Sequence, residues 1–157
     1  MPYRFAVNGT LNAAMSSTIK TAMETHATTG ATTLRRGNIY YIAGSIAQAG
    51  TVADQVFSIR IQRTTAAGTA TGYTPNPLDL ADAAALMTSG VGHSVEPTYT
   101  ASIDLWFQTV HVRALAQIHL QPDSHLILPN TNVAGIGWQS GSAGYTGNIL
   151  PTWHYIE

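Results

Sequence analysis

Six histidines and eight carboxylates are the side chains of this chain best equipped for acid–base or metal chemistry, so their spacing is weighed first. The histidines are His26, His93, His111, His119, His125 and His154. A β-scaffold metal site of the cupin type needs a His-x-His pair and a glutamate a few residues on, which brings three ligands to one ion. No His-x-His occurs. His111 and His119 lie on one face of a strand-like run, but their separation is about 27 Å at the rise of a strand, too far to share an ion. His119 and His125 can face each other across a turn at Pro122, yet two ligands without a third make a weak site. Solvated or hydrogen-bonded histidines are the expectation, and no metal or cofactor is expected.

The carboxylates Glu24, Asp54, Asp79, Asp82, Glu96, Asp104, Asp123 and Glu157 are scattered, mostly at loops and caps. Asp104 alone sits inside a strand-like run, where it reads as a solvent-face residue. A glycosidase-like pair brought together by folding stays open at this stage. No Gly-x-Ser-x-Gly elbow follows a strand. The glycine-rich run Gln139-Ser140-Gly141-Ser142-Ala143-Gly144 lacks the lysine of a phosphate loop. Arg35-Arg36 is a basic doublet ahead of a strand, the usual place for a solvated turn. No catalytic residue is nominated, and the chain is not expected to be an enzyme.

The elements that would carry these residues have a period of two. Phe57, Ile59 and Ile61 alternate with Ser58, Arg60 and Gln62 over residues 56–63, which marks a half-buried strand. Ile103, Leu105 and Phe107 alternate with Ser102, Asp104 and Gln108. Val112, Ala114, Ala116, Ile118 and Leu120 alternate with Arg113, Gln117 and His119, and a turn or bulge is expected near residues 109–111. Further strands are expected over 38–48, 124–128, 133–139 and 149–157. Pro151 argues for an edge or the start of its strand. Around Ile19 to Glu24 helical and strand spacings compete, and the strand is favoured. Residues 64–77 read as a long loop and residues 140–148 as another. One short helix is expected over 80–87, with Asp79 as its N-cap and Gly90 just beyond its end.

About eight strands, one short helix and turn signals between them give an all-β, jelly-roll-like two-sheet sandwich. The expected organisation is an N-terminal arm or edge segment over residues 1–17 and a jelly-roll domain over 18–157. At 157 residues the chain has room for one domain. It has no cysteine, no apolar run suited to a signal peptide and none approaching a membrane span. It reads as made and kept in a cytoplasm. Only 10% of residues are charged and the net charge is −1, which gives no footprint for a phosphate backbone. Polarity comes from neutral groups, including 21 threonines. A surface of that kind is covered by a partner without desolvating many ions.

Bulky apolar groups on apparently polar faces point to such a partner. Trp106 shares its face with Asp104 and Gln108, and Leu115 shares its own with Arg113, Gln117 and His119. Trp153 and Tyr155 share one face of the last strand. These four are the candidate interface residues. Tryptophan or tyrosine among neutral polar groups also suits a sugar ring, so a carbohydrate- or receptor-binding sandwich module, as in a fibre tip, is the alternative. A metal-dependent jelly-roll enzyme comes third.

The order of features resembles small jelly-roll head proteins of tailed bacteriophages, the capsid decoration or cement proteins. The resemblance runs over residues 18–157. Ile19-Lys20-Thr21-Ala22-Met23 opens it, followed by the strands from Ile39 and Val56. Next come Ala67-Gly68-Thr69-Ala70, Tyr73-Thr74-Pro75, Leu78-Asp79-Leu80-Ala81-Asp82-Ala83-Ala84 and Glu96-Pro97-Thr98. Two central strands, the Pro129 turn, a strand over 133–137 and a closing strand to Glu157 complete it. The chain is less charged than many such proteins. The resemblance implies a virion protein on the outer capsid surface, a homotrimer at local threefold positions. Its partners would be its own copies and the major capsid protein, with neither nucleic acid nor membrane.

Overall fold

A computed structural model describes residues 2–9, 18–28, 36–47, 54–141 and 148–157. Among these residues the chain forms twelve strands. They are β1 (Arg4–Asn8), β2 (Lys20–Ala27), β3 (Gly37–Ala47), β4 (Val56–Ala66), β5 (Thr69–Tyr73) and β6 (Asn76–Pro77), then β7 (Met87–Val95), β8 (Thr98–His111), β9 (Ala116–His119), β10 (Leu126–Leu128), β11 (Gly135–Gly141) and β12 (Asn148–Ile156). A 3₁₀ turn, Pro122–Ser124, separates β9 from β10.

Two antiparallel sheets face each other. Sheet A runs β10-β3-β12-β1-β6, with β9 paired to β3 beyond the end of β10. Sheet B runs β5-β7-β2-β11-β4-β8. If β9 and β10 are treated as one strand broken by the 3₁₀ turn, the sheets contain the jelly-roll orders (β9/β10)-β3-β12-β1 and β2-β11-β4-β8. The strands β5, β6 and β7 are an insertion between β4 and β8. It extends both sheets at once, β6 on the outer side of β1 and β7 on the outer side of β2.

Alternation explains why these segments are strands. In β12 every second residue is buried, so Ile149, Pro151, Trp153 and Tyr155 point inward. Pro151, expected at an edge or a strand start, sits near the start of a strand flanked on both sides. It fits because the register of β1 stops at Thr152, and the Pro151 carbonyl accepts from Gly9 N at 2.8 Å. Phe57, Ile59 and Ile61 of β4 and Phe5 and Val7 of β1 fill the same core. The rings of Phe5 and Tyr155 stack at 5.4 Å.

Several expectations are corrected. The segment 80–87 is not a helix. Asp79 does cap a turn, its Oδ1 accepting from Ala81 N at 2.9 Å and its carbonyl from Asp82 N at 3.0 Å, but the chain leaves the helical path after that turn. Leu80 is 98% exposed, so the segment has no apolar face to bury. Isolated short helices of this length are marginal in water. Met87 instead enters the core as the first residue of β7. The expected loop over 64–77 carries the end of β4 and strands β5 and β6. Residues 4–8, read as part of an arm or edge, form an inner strand between β12 and β6. Residues 10–17 of that expected arm, Arg35 of the basic doublet, and 142–147 of the expected loop lie outside the described residues.

Packing between the sheets is close at Gly44. A Cβ on Gly44 would sit 2.6 Å from two ring carbons of Trp138, which is fully buried. Gly44→Ala is therefore expected to destabilise the fold by about 1–3 kcal/mol through overpacking. Gly72→Ala, where a new Cβ meets nothing within 4 Å, should leave stability within about 0.5 kcal/mol. Urea-unfolding midpoints of the two variants check the contrast.

Candidate functional site

The four residues singled out by sequence separate on the structure. Trp153 and Tyr155 are fully buried and are core, not interface. Each has its polar group satisfied inside, Trp153 Nε1 donating to Thr25 Oγ1 at 3.1 Å and Tyr155 OH to Glu157 Oε1 at 3.2 Å. Burial, then the Glu157 carboxylate, raises the Tyr155 phenol well above its ordinary range. Trp106 is half-buried and points inward at the sandwich rim, edge-on to Trp138 at 6.4 Å. Leu115 is 57% exposed, just ahead of β9.

The face assignment of β8 also reverses. Trp106 pairs with Ile61 and Asp104 with Gln62, so Leu105 is an extra residue, a β-bulge that shifts the parity of the strand. Phe107 therefore faces outward under the Arg60 guanidinium, 5.5 Å from its ring centroid. Ile103 and Phe107, expected inside, are 54% and 50% exposed. Asp104 is exposed as expected and accepts from Gln62 Nε2 at 2.8 Å. The strand β8 is the last of sheet B, so one whole edge of a 14-residue strand lacks a neighbour among the described residues. Alternation carried through Leu105 places Phe107 on the wrong face, and Ile103 lies where the register between β4 and β8 shifts again.

The outer face of sheet A carries a second surface that sequence did not anticipate. His154 pairs with Tyr41 and Tyr155 with Ile39, which leaves Tyr40 as an extra residue. The bulge puts two consecutive tyrosines on the outside. His119 lies 4.6 Å from Tyr41 between ring centroids and His154 4.9 Å from it. Tyr40 lies 6.0 Å from His154 and 6.2 Å from His125. Five rings from β3, β12, β9 and the residue before β10 are thus contiguous. Burial, then His119, depresses the His154 pKa, and burial raises that of Tyr40 against the pull of Arg4. His119 and His125, which flank the turn at Pro122, contact different tyrosines.

A third cluster lies under the insertion. Glu24 is 1% exposed, and its carboxylate accepts from Thr64 Oγ1 at 2.8 Å and Gly68 N at 3.3 Å. The enclosed His93 places Nε2 3.6 Å from Glu24 Oε2, and neither of its ring nitrogens has a hydrogen-bond partner. Burial depresses His26, with Glu24 raising it and His93 lowering it further. The cluster pins the loop between β4 and β5 to the outside of β2. Nearby, Thr21 N donates to Glu96 Oε2 at 2.9 Å, and the hydroxyls of Thr21 and Tyr99 are 2.7 Å apart. No three histidine, aspartate or glutamate side chains among the described residues form a set able to hold a metal ion.

No family model, curated protein or solved structure matches this chain. The resemblance to capsid decoration proteins accordingly rests on the order of residues alone, and function has to be argued from the surfaces.

The two depressed histidines set a pH dependence. An unfolded histidine binds a proton near 6.5, whereas His26 and His154 in the fold resist it. Between those values the unfolded state holds more protons, so acid favours unfolding. Their contribution is complete above pH 6.5 and is lost as pH falls through the folded values. The urea midpoint is expected to fall from neutral pH to about pH 5, and more steeply than in His26→Gln/His154→Gln protein.

Proposed function

We propose that this chain is a structural virion protein that decorates and stabilises a bacteriophage head by bridging neighbouring major capsid protein subunits. The observation that carries this reading is the open edge of β8. Among the described residues no strand pairs with that edge, and it carries the exposed side chains of Ile103 and Phe107. Soluble proteins ordinarily blunt such an edge with charge, proline or a covering segment. Here Arg60 covers one face of the Phe107 ring, and the edge is better explained as a surface that is covered in the assembled state. The low charge of the chain fits the same end, since little ionic hydration has to be given up on contact.

The assembly follows from symmetry. Two β8 edges paired with each other would make a twofold dimer. A homotrimer at a local threefold position leaves that edge free for the capsid subunit, and three such edges clamp the subunits around the axis. The protein would sit on the outer capsid surface, add contact area across subunit seams, and need no active site. The carbohydrate- or receptor-binding alternative finds its support on the other sheet, in the five contiguous rings.

Light scattering after size exclusion, paired with co-sedimentation on expanded heads of the encoding phage, tests this reading. The native protein is expected to have the mass of a trimer and to sediment with heads. Ile103→Ser/Phe107→Ser protein should keep its fold, because both side chains are half exposed, and lose head affinity by at least about tenfold. A monomer that ignores heads rejects the reading. A dimer broken by the same substitutions would assign β8 to self-pairing instead.

A further inference from the structure

We propose that the outer face of sheet A binds a neutral saccharide, stacked on Tyr41 and His154 and hydrogen-bonded by Gln117, Thr152 and Asn8. This goes beyond the decoration reading and does not rest on it. The strand registers place these residues. One transverse row of the sheet reads His119, Tyr41, His154 and Ala6 across β9, β3, β12 and β1. The next row on the same face reads Gln117, Ala43, Thr152 and Asn8 across the same strands. Two residues along a strand separate the rows, about 7 Å, which is comparable to the width of a pyranose ring.

Ala43 and Ala6 are the small members of the rows and are nearly buried by their neighbours, so a ligand would meet the flanking side chains of Tyr41, His154, Gln117, Thr152 and Asn8. Gln117 and Asn8 are exposed at the two ends of the second row, three strand spacings or about 14 Å apart, with Thr152 half-buried between them, a span that suits two linked rings rather than one. A sugar presents an apolar C–H face and a rim of hydroxyls that both donate and accept. Aromatic faces meet the first, and amides and a hydroxyl, which also donate and accept, meet the second.

Charge narrows the ligand class. Neither row contains a lysine, arginine, aspartate or glutamate, and Arg4, beside Tyr40 in the adjoining row, is a single cation on the same face. The depressed pKa of His154 keeps its imidazole uncharged at neutral pH. A phosphate backbone or an acidic polysaccharide would require cations that these rows lack.

Saturation-transfer NMR on the native protein tests the inference. The probes are methyl glycosides of glucose, galactose, mannose and N-acetylglucosamine and their β-linked disaccharides, with a glucuronic acid glycoside for comparison. At least one neutral probe is expected to bind saturably, with Kd of about 1 mM or tighter. Tyr41→Ala should weaken that binding about tenfold, and Tyr41→Phe, which keeps the ring, by much less. Gln117→Ala, a change at an exposed site, should weaken it measurably without any risk to the core. The inference is overturned if no neutral probe binds, if only the acidic one does, or if Tyr41→Ala and Gln117→Ala leave binding unchanged. Loss of head co-sedimentation by Tyr41→Ala protein without glycan binding would give this face to the capsid. The β8 substitutions test the decoration reading separately, so either idea can fail alone.

Discussion

Two indoles have to fit between two sheets, and most of the molecule is arranged around that demand. Trp153 comes from sheet A and Trp138 from sheet B, and both are fully enclosed. An indole N–H left unpaired in such a place costs about 1–3 kcal/mol. Trp153 therefore meets Thr25, which in turn lies 2.6 Å from Ser89 Oγ, and Trp138 Nε1 donates to Ser140 Oγ at 2.9 Å. The absence of a side chain at Gly44 provides the room for Trp138. One glycine and three hydroxyl residues thus set how the two sheets lie against each other, and the smaller core side chains fill what remains.

With the interior settled by the jelly-roll pairing, individuality is expressed on the outside, and bulges are its instrument. The extra residue at Leu105 turns Phe107 outward on the rim of sheet B. The extra residue at Tyr40 turns two tyrosines outward on sheet A. Around Tyr40 the inward Ile39 and Ile42 keep their places in the core, so that surface is altered at little cost to packing. The insertion of β5 to β7 works on a larger scale. It lies outside the eight-stranded pattern, closes one margin of each sheet, and is held to β2 through Gly68 and the buried Glu24.

The strands that alternate without interruption were legible in the sequence, as in β4 and β12, and so was the two-sheet class. What alternation cannot supply is the direction of the core. In β12 alternation separates the two faces correctly but does not say which is the core, and Trp153 and Tyr155, expected at an interface, point inward. In β8 the rule failed at the bulge, because one extra residue reverses every later assignment. Residues 87–95 gave no strand signal, since Ser89, Gly90 and Gly92 interrupt the β-branched pattern, whereas alanines after a good N-cap gave a false helical one. The ring cluster on sheet A and the pairing of Glu24 with His93 join residues far apart in sequence, and neither leaves a local mark.

The pairing of β1 with β12 also bears on how the chain reaches its fold. Arg4 lies opposite Ile156, and Tyr3 and Glu157 exchange backbone hydrogen bonds of 3.2 and 3.0 Å. Of the twelve described strands the first to be made thus finds its main partner in the last. Sheet A cannot close until β12 has been made, and loop-closure entropy must be met before that contact gives anything back. Until then Phe5 and Val7 lack the wall they pack against, and the half-made chain is an adhesive object that a crowded cell has to keep apart from its copies.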